Sequence, residues 1–117
     1  MTRRYAAALF LACALWIPEA RADDAADDAK CLAVALNMAS AQDADEQSVG
    51  ILSTMYWLGR LDGRNPSLDL QKQLSDAADA MTQDDLKTEA TRCTATLRAR
   101  GEELSKLGPG LPQPKPD

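Results

Sequence analysis

The chain has 117 residues, with 13 lysines and arginines against 18 aspartates and glutamates, no histidine, and a net charge of −5. An acidic surface repels nucleic acid and anionic membranes, so neither is an expected partner. The lack of histidine removes the commonest general base and the commonest zinc ligand, and a chain of this length is expected to form one domain.

The N-terminal segment reads as an export signal. Arg3 and Arg4 give a positive start, Tyr5 to Ile17 is apolar throughout, Pro18 breaks the run, and Ala20-Arg21-Ala22 offers the small-x-small pattern cut by a signal peptidase. The apolar run counts 13 residues, short of the roughly 20 that a membrane span needs. The expected division is therefore a cleaved signal over 1–22, a helical domain over 23–108 and a Pro-rich tail over 109–117, in a periplasmic or secreted protein without stable membrane insertion after cleavage. Removing the signal takes out three arginines and one glutamate and leaves the mature chain more acidic still. It also removes Cys13. The two cysteines that remain, Cys31 and Cys93, are an even pair in an exported chain and predict one disulfide.

Asp23 to Asp28 is an acidic, alanine-rich lead-in, and the first helix is expected to start near Asp27 or Asp28, where carboxylates suit the helix dipole. Cys31, Leu32, Ala35, Leu36, Met38 and Ala39 then form a stripe of helical period that fades near Ala41. Asp43, with Glu46 three residues on, predicts the cap of a second helix. Its apolar rows, Val49-Leu52-Tyr56-Gly59 and Ile51-Met55-Leu58, make a wide face, which predicts that this helix lies at the centre of the core. Gly63 is expected to end it as a left-handed cap, with Gly59 making room for a neighbouring helix. Asn65-Pro66 is expected to open a third helix, carrying Leu70, Leu74, Ala77 and Met81. Thr82 and Asp85 form a capping box for a fourth, whose stripe is Leu86, Ala90, Cys93, Leu97 and Leu104. Gly101 is expected to bend it and Gly108-Pro109 to stop it. No stretch alternates with period two, and alanine outweighs valine and isoleucine. The expected fold is all-α: a small antiparallel bundle of about four helices stapled by one disulfide.

The stretch Val49 to Pro66 holds the aromatic residues of the mature chain, Tyr56 and Trp57, and two arginines, Arg60 and Arg64, around Asp62. Two guanidiniums could grip a carboxylate or phosphate of a partner; the plainer reading is that they sit in the last helical turn and pair with nearby acids. Adjacent helix positions point about 100° apart, so one aromatic ring is expected in the core and the other at its rim. The acidic pairs lack the spacing of a calcium loop. With no histidine, no free thiol once the bridge forms and no nucleophile elbow, the chain is not expected to be an enzyme, and no cofactor or metal is expected. Tyr56, Trp57, Arg60, Asp62 and Arg64 are the candidate partner-binding residues, because Arg, Tyr and Trp are enriched in binding hot spots.

The signal, the size of the mature chain, the helical pattern and the Cys31/Cys93 pair together resemble the HdeA-like family of periplasmic acid-stress chaperones. The resemblance covers Cys31 to Leu107 and is one of layout. Cys93 inside a long last helix, and the run Tyr56 to Pro66, depart from that family; the latter is similar to small exported helical proteins of Gram-negative bacteria. The resemblance implies a protective protein that opens in acid and holds unfolded clients. The alternative is a protein-binding module, an inhibitor or assembly factor, that uses the Tyr56–Arg64 region.

Overall fold

The computed structural model describes Ala20 to Pro112, with side chains from Asp24 onward. Most of the expected signal and the last residues of the tail lie outside this range. Four helices follow in order: α1 (Ala20–Ala39), α2 (Ala44–Arg64), α3 (Leu70–Asp79) and α4 (Gln83–Leu107), with a single 3-10 turn at Gly108–Gly110. There is no strand among the described residues. The architecture is an all-α bundle stapled by Cys31–Cys93, whose Cα atoms lie 5.5 Å apart.

The ends of the helices follow the polar residues of the sequence. Asp43 caps α2, its Oδ1 accepting the Glu46 N–H at 2.9 Å. At α4 the box is reciprocal: Thr82 Oγ1 accepts from the Asp85 N–H at 3.2 Å, and Asp85 Oδ2 accepts from the Thr82 N–H at 2.9 Å. These bonds satisfy backbone donors that a helix start leaves without partners. The bond from the Thr82 backbone, then that from its hydroxyl, holds the Asp85 carboxyl below its ordinary value of 3.8.

Several boundaries differ from the expected ones. α1 is already helical from Ala20, the first described residue, rather than starting near Asp27, because the alanine-rich run before Asp27 contains nothing that breaks a helix once begun. Asp28 is therefore an interior helix position. Gly63 is not a left-handed cap: no described glycine has positive φ, α2 runs through to Arg64, and Asn65 in extended conformation ends it. Asn65-Pro66 makes a turn rather than a helix start, with Asn65 Oδ1 accepting from the Ser67 N–H at 3.0 Å. α3 instead starts at Leu70, capped by Asp69. Gly101 lies inside an uninterrupted α4.

The centre of the bundle is α1, not α2. Ala29, Cys31, Leu32, Val34 and Ala35 are buried around much of its circumference, and α2, α3 and α4 each pack on it. Its short side chains let three neighbours approach at once, which a helix lined with bulky residues could not allow. α2 answers with its own small residues. It turns Gly50, Ser53, Trp57 and Leu61 inward, and Gly50 sits so near the end of α1 that a Cβ there would lie 2.2 Å from the Ala39 nitrogen. Much of the two rows expected in the core points the other way: Ile51 is 52% exposed, Leu52 72% and Met55 66%, while Tyr56 and Leu58 reach only its edge. Trp57, Leu61 and Ala77, together with the bridge, complete the core. Leu58, Leu70, Leu74 and Leu97 pack against its edge.

Candidate functional site

α2 runs antiparallel to α1, so its C-terminal end faces the start of α1. Gly50 lies against Met38 and Ala39, while Arg60 and Arg64 reach back to Asp28. Arg60 and Arg64 are one helical turn apart and project on the same side as Trp57 and Leu61. That register carries both guanidiniums to a single carboxylate.

Asp28 is buried, at 3% exposure. Its Oδ2 accepts from Arg64 Nε at 2.7 Å and from Arg60 Nε at 3.1 Å. Arg64 also reaches Asp24, at 3.5 Å. The two arginine side chains remain about a third exposed, 36% for Arg60 and 31% for Arg64, so water reaches the cations but not the acid. Arg60 donates from Nη1 to the Tyr56 hydroxyl at 3.3 Å, and its guanidinium carbon stands 5.8 Å from the Tyr56 ring and 5.3 Å from the Trp57 ring. Both contacts favour the cation. The Tyr56 bond is the main cause of a guanidinium pKa raised above its ordinary value; burial opposes it and Asp28 adds to it.

The two aromatic rings meet edge to face, with centroids 5.0 Å apart and planes at 82°. Trp57 is fully buried and Tyr56 half-buried, which matches the expected division between core and rim. The Trp57 Nε1 is buried and has no acceptor among the described residues. An unpaired donor in that position costs about 1–3 kcal/mol.

Of the candidate residues, Tyr56, Trp57, Arg60 and Arg64 are thus brought together, but around Asp28 and the core. Asp62 faces solvent and has no ion pair among the described residues. Both arginines pair with nearby acids, Arg60 with Asp28 and Arg64 with Asp28 and Asp24. Sequence reasoning missed Asp28 because Asp27-Asp28 resembled a helix start. The signal was its register: Asp28 precedes Cys31, Leu32 and Ala35 by three, four and seven positions, within the apolar stripe.

A second feature is the outward face of α2. Ile51, Leu52 and Met55 are neighbours on the helix surface and stand bare on the side away from α1. Gly59 lies on the same side one turn beyond, with open space where a Cβ would be. At the bridge, Cys31, Cys93 and a Glu89 oxygen lie within 4.8 Å of one another, a cluster of ligand type. The sulfurs are bonded to each other and Glu89 accepts from Arg92 Nε at 2.8 Å, so these groups are already committed. No described helix is long and apolar enough to cross a membrane.

Comparison with protein-family models, with curated proteins and with solved structures returns no match to this chain.

Proposed function

We propose that this is a small exported protein of the binding and protective type, acting as an HdeA-like stress chaperone. The observation that carries the reading is the bare face of Ile51, Leu52 and Met55, a contiguous apolar patch on an otherwise acidic molecule. Such patches on small soluble proteins are places where other proteins dock.

Two features favour opening in acid. The cap of α4 depends on the charged form of Asp85, whose pKa is lowered in the folded state. The sign follows: its stabilisation is complete above the ordinary value of 3.8 and is lost as pH falls through the lowered one. As carboxylates protonate, the remaining lysines and arginines repel one another and favour an open chain. The bridge keeps that chain tethered while Leu, Met and Trp57 side chains become available to clients.

At about pH 2–3, where carboxylates are protonated, the bridged protein is expected to lose near-UV dichroism, bind a hydrophobic dye and keep an aggregation-prone client soluble. The double variant Leu52→Lys/Met55→Lys, which places charge on the α2 face in acid, is expected to open equally and protect poorly. A protein that stays folded at that pH, or opens without protecting any client, defeats the chaperone reading.

The second reading is a docking module that works folded at neutral pH. It is favoured by the patch being bare in the folded state. Because Arg60 and Arg64 are held by Asp28, the docking surface on this reading is Ile51-Leu52-Met55, with Tyr56 and Asp62 at its edge. Capture of a partner at pH 7 by wild type but not by Leu52→Lys/Met55→Lys, without acid protection, would select it.

A further inference from the structure

Between α1 and α4 lies an open groove of about 610 Å³, a size typical of small-molecule sites. Val34, Met38, Leu86 and Ala90 give it an apolar lining, and Lys87 and Arg98 stand on its α4 side. These two cations are three helical turns apart and share a face, separated by about 16 Å along the axis. Neither makes an ion pair among the described residues, in a chain where acids outnumber bases. Glu46 is the acid in the lining. The groove has a second level. Val34, Met38 and Thr94 also bound a void of about 10 Å³, room for roughly one water. Trp57 also lines that void, and its buried Nε1 has no acceptor among the described residues.

We propose that the groove binds a single-chain anionic amphiphile, with its acidic head on Arg98 at one end, its chain along Val34, Met38, Leu86 and Ala90 toward Lys87 at the other, and a water in the void beneath it accepting the Trp57 N–H. An apolar lining that ends in a cation without an ion pair is the complement of that chemistry. The site is separate from the bare face of α2 and does not depend on the function proposed above.

Calorimetric titration of the full chain with dodecanoate and with dodecyl phosphate, both below their micelle concentrations, tests the proposal. At least one is expected to bind saturably at one per chain and to shift the Trp57 indole N–H resonance; the preferred head, carboxylate or phosphate, identifies the source. Dodecanol and dodecyltrimethylammonium are expected to bind at least tenfold more weakly. Lys87→Gln/Arg98→Gln is expected to weaken the anion at least tenfold with unchanged helical dichroism, since both side chains are exposed, and Ala90→Trp to block the groove. Absence of saturable binding by both anions overturns the proposal. So does binding indifferent to head charge and to Lys87→Gln/Arg98→Gln, or binding lost instead in Leu52→Lys/Met55→Lys.

Discussion

Asp28 occupies a position where a core residue would be expected, and its surroundings make the ion pair asymmetric. The carboxylate is buried while both guanidiniums reach water. Removing the cations strands a buried charge; removing the acid leaves cations that can hydrate. The variant Arg60→Met/Arg64→Met is therefore expected to lose about 3 kcal/mol, the low end for a broken buried pair because water already screens the guanidiniums. Asp28→Asn is expected to lose only about 1.5 kcal/mol, the low end for hydrogen bonds to a charged group, because asparagine keeps an oxygen acceptor. Urea unfolding midpoints at neutral pH measure both, and an Asp28→Asn loss as large as that of the arginine pair would contradict the asymmetry. The same residues show that arginines beside a tryptophan, which in sequence look like a docking patch, are paired with an acid on the neighbouring helix.

The helices are distinguished by how their small residues are used. Gly50 allows α2 to touch α1 backbone to backbone: a Cβ would meet Ala39 N at 2.2 Å and the Met38 carbonyl carbon at 2.5 Å, neither of which can swing aside. Gly59 and Gly63, which looked like the packing and capping glycines, have open space around them. Gly50→Ala is expected to destabilise by about 1–3 kcal/mol, as overpacking does. Gly59→Ala is expected to stabilise by up to about 1 kcal/mol through helix propensity alone. Thermal unfolding of the two single variants decides it, and a stabilising Gly50→Ala would show that the helices stand farther apart. The burial pattern also changes what truncations should do. Leu52 and Met55, expected at the centre of the core, are mostly exposed, so the large cost of a leucine truncation moves to the fully buried Leu61.

For the whole molecule, the bridge fastens α4 to α1. Both sulfurs are buried and 62 positions apart in sequence, and α4 meets the rest of the bundle mainly along α1. Closing a loop of that length constrains the unfolded chain by about 4 kcal/mol, a large share of the stability of a small domain. Cys31→Ala/Cys93→Ala is expected to lower stability by about that amount and to release α4 first. Hydrogen exchange resolved along the chain would register this as early loss of protection over Gln83–Leu107, with α1 and α2 still protected. Uniform loss in all four helices would mean that α4 is held by packing rather than by the staple.

The helical class, the four elements, the caps at Asp43 and Thr82 and the Cys31/Cys93 pair were all legible in the sequence. Each depends on local geometry or on counting: helical period, a side chain three residues from the amide it caps, an even number of thiols. Which helix forms the centre was not legible. A wide apolar face on α2 implied burial, but close packing rewards small side chains where backbones approach, and only the assembled bundle revealed that Gly50 and Ser53, not Leu52 and Met55, meet α1. Asp28 was hidden for the same reason. Its role depends on Arg60 and Arg64, more than thirty residues away in sequence, and the antiparallel register that brings them together is a property of the packed helices rather than of any one segment.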